Sequence, residues 1–286
     1  MRRVLAICGV IAGATMASAA RGDFVGRHRL GSEDTASAEL ATTASLAPST
    51  EDVTAVHLAE TLAASLRVGP RLALTLDATL GFTSFRASGR ERRTTARLGN
   101  PLLAVHLTLL DEPRHTVELG LGVAPPLVTA PGGLDANSAA TFGDRVALEA
   151  RGTQAPWLWS NNAVPIVLPA GVEVPIAQRF RIRWEVQPAY LISVNRRPSR
   201  VALDSTLRAS FQADTWVPEL ALHGYTQSVP IRDGDYAQLS VATALRYERP
   251  RWWARGELAV NLDGPAGFGE TNRTPWGVTL GVGARF

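Results

Sequence analysis

The chain has no lysine, a single cysteine and only two methionines in its 286 residues. The lone Cys8 excludes both a disulfide framework and a thiolate metal site. Basic charge rests entirely on 29 arginines, set against 26 acidic residues. Arg2 and Arg3 belong to an N-terminal export segment, and without them 27 arginines face 26 acids, a net charge of +1. A chain so balanced presents no basic face to a nucleic acid. Beyond the N-terminus there is no run of about eighteen apolar residues, which excludes a spanning helix. G-x-S-x-G, H-E-x-x-H, GxGxxG and the P-loop are all missing. The five histidines, His28, His57, His106, His115 and His223, are scattered without metal-ligand spacing. No catalytic, cofactor-binding or metal-ligating residue is nominated, no cofactor is implied, and the chain does not read as an enzyme.

What is present begins with Arg2 and Arg3 before an apolar run from Val4 to Ala14, closed by Ala17-Ser18-Ala19. This is the pattern of a secretory signal peptide, residues 1–19, with an A-x-A cleavage site. Cys8 sits mid-run behind Ile7, the wrong place for lipidation.

Trp276 to Phe286 then sets Trp276, Val278, Leu280, Val282, Ala284 and Phe286 on one face and Gly277, Thr279, Gly281, Gly283 and Arg285 on the other. A period of two over this length is a strand and excludes a helix. Phe180 to Val194 and Val201 to Ala213 divide in the same way. Further strands are expected at Ala38–Leu46, Val56–Val68, Arg71–Phe85, Ala96–Leu110, His115–Val128, Val164–Ile176, Trp216–Gln227, Tyr236–Glu248 and Trp252–Leu262, twelve in all. Ten remains an alternative, because the first is weak and Glu60 interrupts the apolar face of the second.

Tight connections at Gly69-Pro70, Asp111 to Arg114, Ala177-Gln178, Ala213-Asp214 and Arg249 to Arg251 alternate with longer ones, the longest being 129–163. Such alternation is expected of an all-β, transmembrane, antiparallel up-and-down barrel with both termini in the periplasm. A periplasmic segment 20–37 would precede the barrel, 38–286. On this parity Phe180, Phe211, Trp216, Tyr247, Trp252 and Phe286 lie outward at the inner membrane interface, and Phe82 and Trp276 at the outer one. A secreted soluble β-sandwich would also alternate, but it needs neither interface aromatics nor parity of loop lengths.

The other face should line the lumen, and the candidates are Glu173, Arg181, Arg183, Glu185, Asp204, Arg208, Glu219, His223, Arg255 and Glu257, with His57 and His106 also inward. A two-residue turn at Ala213-Asp214 would pair Gln212 with Thr215, Phe211 with Trp216, Arg208 with Glu219 and Asp204 with His223. A three-residue turn after Ile176 would set Glu173 opposite Arg183. Matched pairs of this kind would leave little selection by sign. A 35-residue connection is usually functional or disordered rather than a mere linker, and Trp157 and Trp159 within it are candidates either for a gate folded over or into the barrel mouth or for part of a surface epitope with no gating role. Arg86, Arg90, Arg92, Arg93, Arg196, Arg197 and Arg200 cluster in the outer connections, where guanidinium forks suit lipopolysaccharide phosphates; solvated loop charge is the plainer reading.

The C-terminal strand closed by Phe286 resembles the signal by which outer-membrane proteins are recognised for assembly, with Trp276, Leu280, Val282 and Phe286 as its residues. That resemblance implies the barrel-assembly machinery as a partner. Leu98-Gly99-Asn100-Pro101-Leu102 and the Leu119 to Pro126 run Leu-Gly-Leu-Gly-Val-Ala-Pro-Pro resemble the outer-membrane family linked to phenol meta-cleavage pathways, whose members are regarded as transporters. The resemblance implies transport. Together these readings give an exported outer-membrane channel or transporter for small solutes. The alternative is a closed barrel acting as a structural or surface-interaction protein.

Overall fold

The computed structural model describes residues 34–48, 53–87, 93–112, 115–127, 156–160, 162–194, 198–229, 237–262 and 276–286, preceded by Asp23–Phe24 paired with Arg27–His28. The expected signal peptide, most of the 20–37 segment, most of the 129–163 connection, and Arg90, Arg92, Arg196 and Arg197 lie outside the described residues.

Twelve antiparallel staves form a closed barrel. They are β1 (Ala36–Pro48), β2 (Val53–Gly69), β3 (Leu72–Ala87), β4 (Arg93–Leu98 and Leu102–Glu112), β5 (His115–Val123) and β6 (Ala163–Val167 and Ala170–Ala177), then β7 (Phe180–Ser193), β8 (Arg200–Phe211), β9 (Trp216–Gln227), β10 (Ala237–Glu248), β11 (Trp252–Asn261) and β12 (Trp276–Arg285). Each pairs with its sequence neighbours, and β12 closes on β1 from Trp276↔Leu46 to Arg285↔Ser37. At the seam Phe286 N–H donates to the Ala36 carbonyl (2.9 Å), and the Phe286 carbonyl accepts from Thr35 N–H (2.8 Å) and Ala36 N–H (3.1 Å).

The period of two explains the inversion of burial. On β12, Leu280 is 64% exposed and Val282 54%, whereas Arg285 is 6% exposed. An apolar exterior around a polar interior is stable only where lipid, not water, bathes the wall. Glu60 faces outward on β2 but accepts Thr42 Oγ1 at 2.8 and 3.0 Å from its direct cross-strand partner, so it does not break the strand. Trp184, 52% exposed, donates its Nε1–H to Ser205 Oγ on β8 (3.0 Å). At the tight-turn end Trp216, Tyr247 and Trp252 form an outward aromatic row with centroids 4.8 and 5.6 Å apart.

Several sequence expectations are corrected. The β8–β9 turn is centred on Asp214-Thr215 rather than Ala213-Asp214, with an Ala213↔Trp216 bridge and Asp214 at φ 52°. Asp tolerates this left-handed conformation better than most residues. The whole hairpin therefore moves by two: Ser210 opposes Glu219, Arg208 opposes Ala221, Thr206 opposes His223 and Asp204 opposes Tyr225. Glu173 does oppose Arg183, with an irregularity at Pro175/Ala177 before the turn. β1 and β2 extend to Pro48 and Val53, so their connection, 49–52, is short. Arg86 and Arg93 are strand residues rather than loop residues, and Arg200 opens β8. The first stave starts at Ala36, two residues early. β4 and β6 are each interrupted, at Gly99–Pro101 and Leu168–Pro169, where proline has no N–H to give the ladder.

Candidate functional site

The interior has three levels. Nearest the tight turns is a girdle of charge carried by inward positions of most staves. Arg183 reaches Glu185 at 2.6 Å, Glu118 at 3.1 Å and Glu173 at 3.5 Å, while Arg181 meets Glu173 at 3.2 Å. Glu219 holds Arg208 (2.6 Å) and Arg246 (3.0 Å). Glu248 then takes Arg246 (2.8 Å) and Arg285 (3.8 Å). Arg255 bridges Glu39 (2.8 Å) and Glu257 (3.7 Å). A cavity opens among Glu173, Arg181, Arg208, Glu219, Arg246 and Glu248.

Of the ten lumen candidates expected from the sequence, Glu173, Arg181, Arg183, Glu185, Arg208, Glu219, Arg255 and Glu257 lie in this girdle. Glu39, Glu118, Arg246, Glu248 and Trp253, turned inward by the same parity but not among those candidates, join them, as does Arg285, which the sequence already sets on the inward face of its strand. Trp253 is 1% exposed and donates Nε1–H to Glu39 (2.9 Å), with the Arg285 guanidinium 5.2 Å from its ring. The inward glycines of β12 make room for it: a Cβ on Gly283 would collide with the indole, and one on Gly281 would stand 2.8 Å from Glu39.

Midway along the wall His106 bonds Thr75 (3.0 Å). His223 lies between Asp204 (Nε2 to Oδ2, 3.0 Å) and Ser240 (Nδ1 to Oγ, 3.4 Å); the Asp204–His223 pair is expected from the β8–β9 hairpin, whereas Ser240 joins it from β10. It has the residue types of a hydrolytic triad. The Ser–His contact is long, and these paired strands commit their amides to the ladder rather than to an oxyanion hole. The trio is a hydrogen-bonded part of the wall.

Nearer the long connections, Pro156–Trp159 forms one 3-10 turn buried inside the barrel. Its two tryptophans reach opposite walls. Trp157 donates Nε1–H to Gln187 Oε1 on β7 (3.1 Å) and meets Tyr225 on β9 with centroids 6.3 Å apart. Trp159 stands edge-on to His57 on β2 at 5.4 Å and covers Gly81 on β3, where a Cβ would come within 2.5 Å of the ring. The carbonyls of the turn face the interruption of β4: Asn100 N–H donates to Leu158 O (2.8 Å), and Asn100 Nδ2 to Trp157 O (3.2 Å) and Ser160 O (2.8 Å). Gly99-Asn100-Pro101, met in sequence only as part of a family resemblance, is the seat of this turn.

No protein-family model matches the chain, and no curated protein matches it. Among solved structures it is similar to an outer membrane channel from Pseudomonas putida F1, with a TM-score of 0.63 and 13% identity over 93% of this chain and 100% of the other. It is also similar to the NanC porin, with a TM-score of 0.52 and 8% identity over 86% and 100% of the two chains. At these identities the likeness concerns the fold, and the fold is that of bacterial outer-membrane β-barrels.

Proposed function

We propose that the chain is a narrow outer-membrane channel for small solutes, with passage controlled where the Pro156–Trp159 turn crosses the lumen. The observation that carries this reading is the turn itself, held between Gln187 and Tyr225 on one wall and His57 and Gly81 on the other. A purely structural barrel of this size needs only wall side chains to fill it. A turn bearing two tryptophans and docked in the lumen adds an apolar constriction, the usual site of selection in a pore. Two fold neighbours, one an outer membrane channel and the other a porin, support the reading. Export by the N-terminal signal, insertion by the barrel-assembly machinery through Trp276, Leu280, Val282 and Phe286, and contact with lipopolysaccharide belong to the same proposal.

The closed, structural barrel is favoured by one feature, the acid–base matching of the girdle. Single-channel recording in planar bilayers separates the two. A channel gives resolvable steps, larger in a Trp157→Ala/Trp159→Ala protein. The absence of steps from both proteins would leave the structural barrel standing.

A further inference from the structure

We infer that Asn100 is the latch that holds the constriction turn in the lumen, and that release of this residue is how the passage widens. The inference deepens the channel reading and rests on it for its consequence, though not for its geometry. Asn100 is fully buried, and three of its hydrogen bonds reach the turn, accepted by the carbonyls of Trp157, Leu158 and Ser160. Besides the backbone bonds of the 3-10 turn itself, Ser160 Oγ–H donates to the Pro156 carbonyl (3.1 Å). No other single residue of the wall engages so much of the turn's backbone among the bonds described.

The interruption of β4 is built for this. Gly99 N–H stays bonded to Thr79 O (2.8 Å), so the stave remains attached to β3, and a Cβ on Gly99 would stand 2.8 Å from the Leu158 carbonyl. Pro101 has no N–H that the interruption could leave without a partner. The amide orientation is determined by chemistry: both neighbours of Nδ2 are carbonyls, which accept and cannot donate. An aspartate at 100 would keep the size and replace the two donors with acceptors, turning attraction to those carbonyls into repulsion. The ladder bond from Gly99 N–H to Thr79 O does not involve the Asn100 side chain and would be kept.

The test places one thiol on the turn. In a Cys8→Ala, Leu158→Cys protein inserted in phospholipid vesicles, the rate of modification by a charged, membrane-impermeant maleimide reports how often the turn leaves its seat. Leu158 is 2% exposed, so the rate is low when Asn100 is present. Adding Asn100→Asp is expected to raise it at least about tenfold, the scale of losing two buried hydrogen bonds. Retention of the folded gel mobility shows that the barrel is intact. If the aspartate variant loses that mobility, Asn100→Ala removes the same donors without adding charge and is read in its place. Equal labelling rates with and without Asn100 in folded proteins would overturn the latch. Faster labelling without conductance in either protein would uphold the latch and sink the channel reading. Equal labelling with normal conductance would do the reverse.

Discussion

Arg208 reaches Glu219 at 2.6 Å even though the backbone sets Ser210, not Arg208, directly opposite Glu219. The ion pair runs diagonally across the β8–β9 hairpin. Diagonal neighbours lie about 7–8 Å apart, within reach of a long side chain. His223 meets Asp204 at 3.0 Å in the same way, across a two-residue offset. A shift of register by two leaves every side chain on its own face, so the same partners find each other on a different rung.

The girdle should respond unequally to loss of its arginines. Arg183 serves three carboxylates while 5% exposed, so Arg183→Leu is expected to cost about 3–5 kcal/mol. Arg208→Leu should cost less, because Glu219 keeps Arg246 at 3.0 Å. Urea midpoints for unfolding from lipid vesicles would compare the two, and equal losses would contradict the assignment of Arg183 as the hub.

Gly283 is a packing position rather than a turn. Gly283→Val would drive the Trp253 indole off β12 and break its bond to Glu39. The expected cost is about 1–3 kcal/mol of overpacking. The same urea titration measures it, and an unchanged midpoint would mean that Trp253 has another place to go.

Because the staves close on themselves, no strand edge is left free to unravel. Unboiled protein in detergent should run at a different gel mobility from boiled protein. A single mobility, with ready solubility in buffer, would contradict a lipid-facing wall.

Phe286 joins the two ends of the barrel through Thr35 and Ala36. Deleting it should leave export intact and insertion poor, seen as accumulation of signal-cleaved protein outside the membrane fraction. Normal insertion would remove Phe286 from the assembly signal.

The named ion pairs of the girdle join six arginines, 181, 183, 208, 246, 255 and 285, to seven glutamates, 39, 118, 173, 185, 219, 248 and 257. A wall so evenly charged should discriminate weakly by sign. Reversal potentials in a potassium chloride gradient should stay near zero, and a strong preference for either ion would show that the passage avoids the girdle.

Much of the architecture is local and was readable as such. Period-two alternation sorted Phe180 to Val194, Val201 to Ala213 and Trp276 to Phe286 into outward and inward sets, and twelve strands followed from the turn residues between them. Lipid outside and polar groups inside act on each residue by parity alone, so the facing of Arg183, Arg208 and Glu219 needed no knowledge of their partners. Register was different, because a period of two cannot tell a strand from itself moved by two residues. The left-handed Asp214 decided that step. Closure was different again: Trp253 and Glu39 meet although 214 residues apart, and only the β12–β1 seam brings their staves near. The same is true of the constriction. Pro156–Trp159 carries no signal of where it docks, because its seat is made by Gly81 and Gly99 having no side chain and by Asn100 having the right one, on two other staves. Side-chain facing is a property of neighbours in the chain, whereas a docking site belongs to residues that the fold alone makes neighbours.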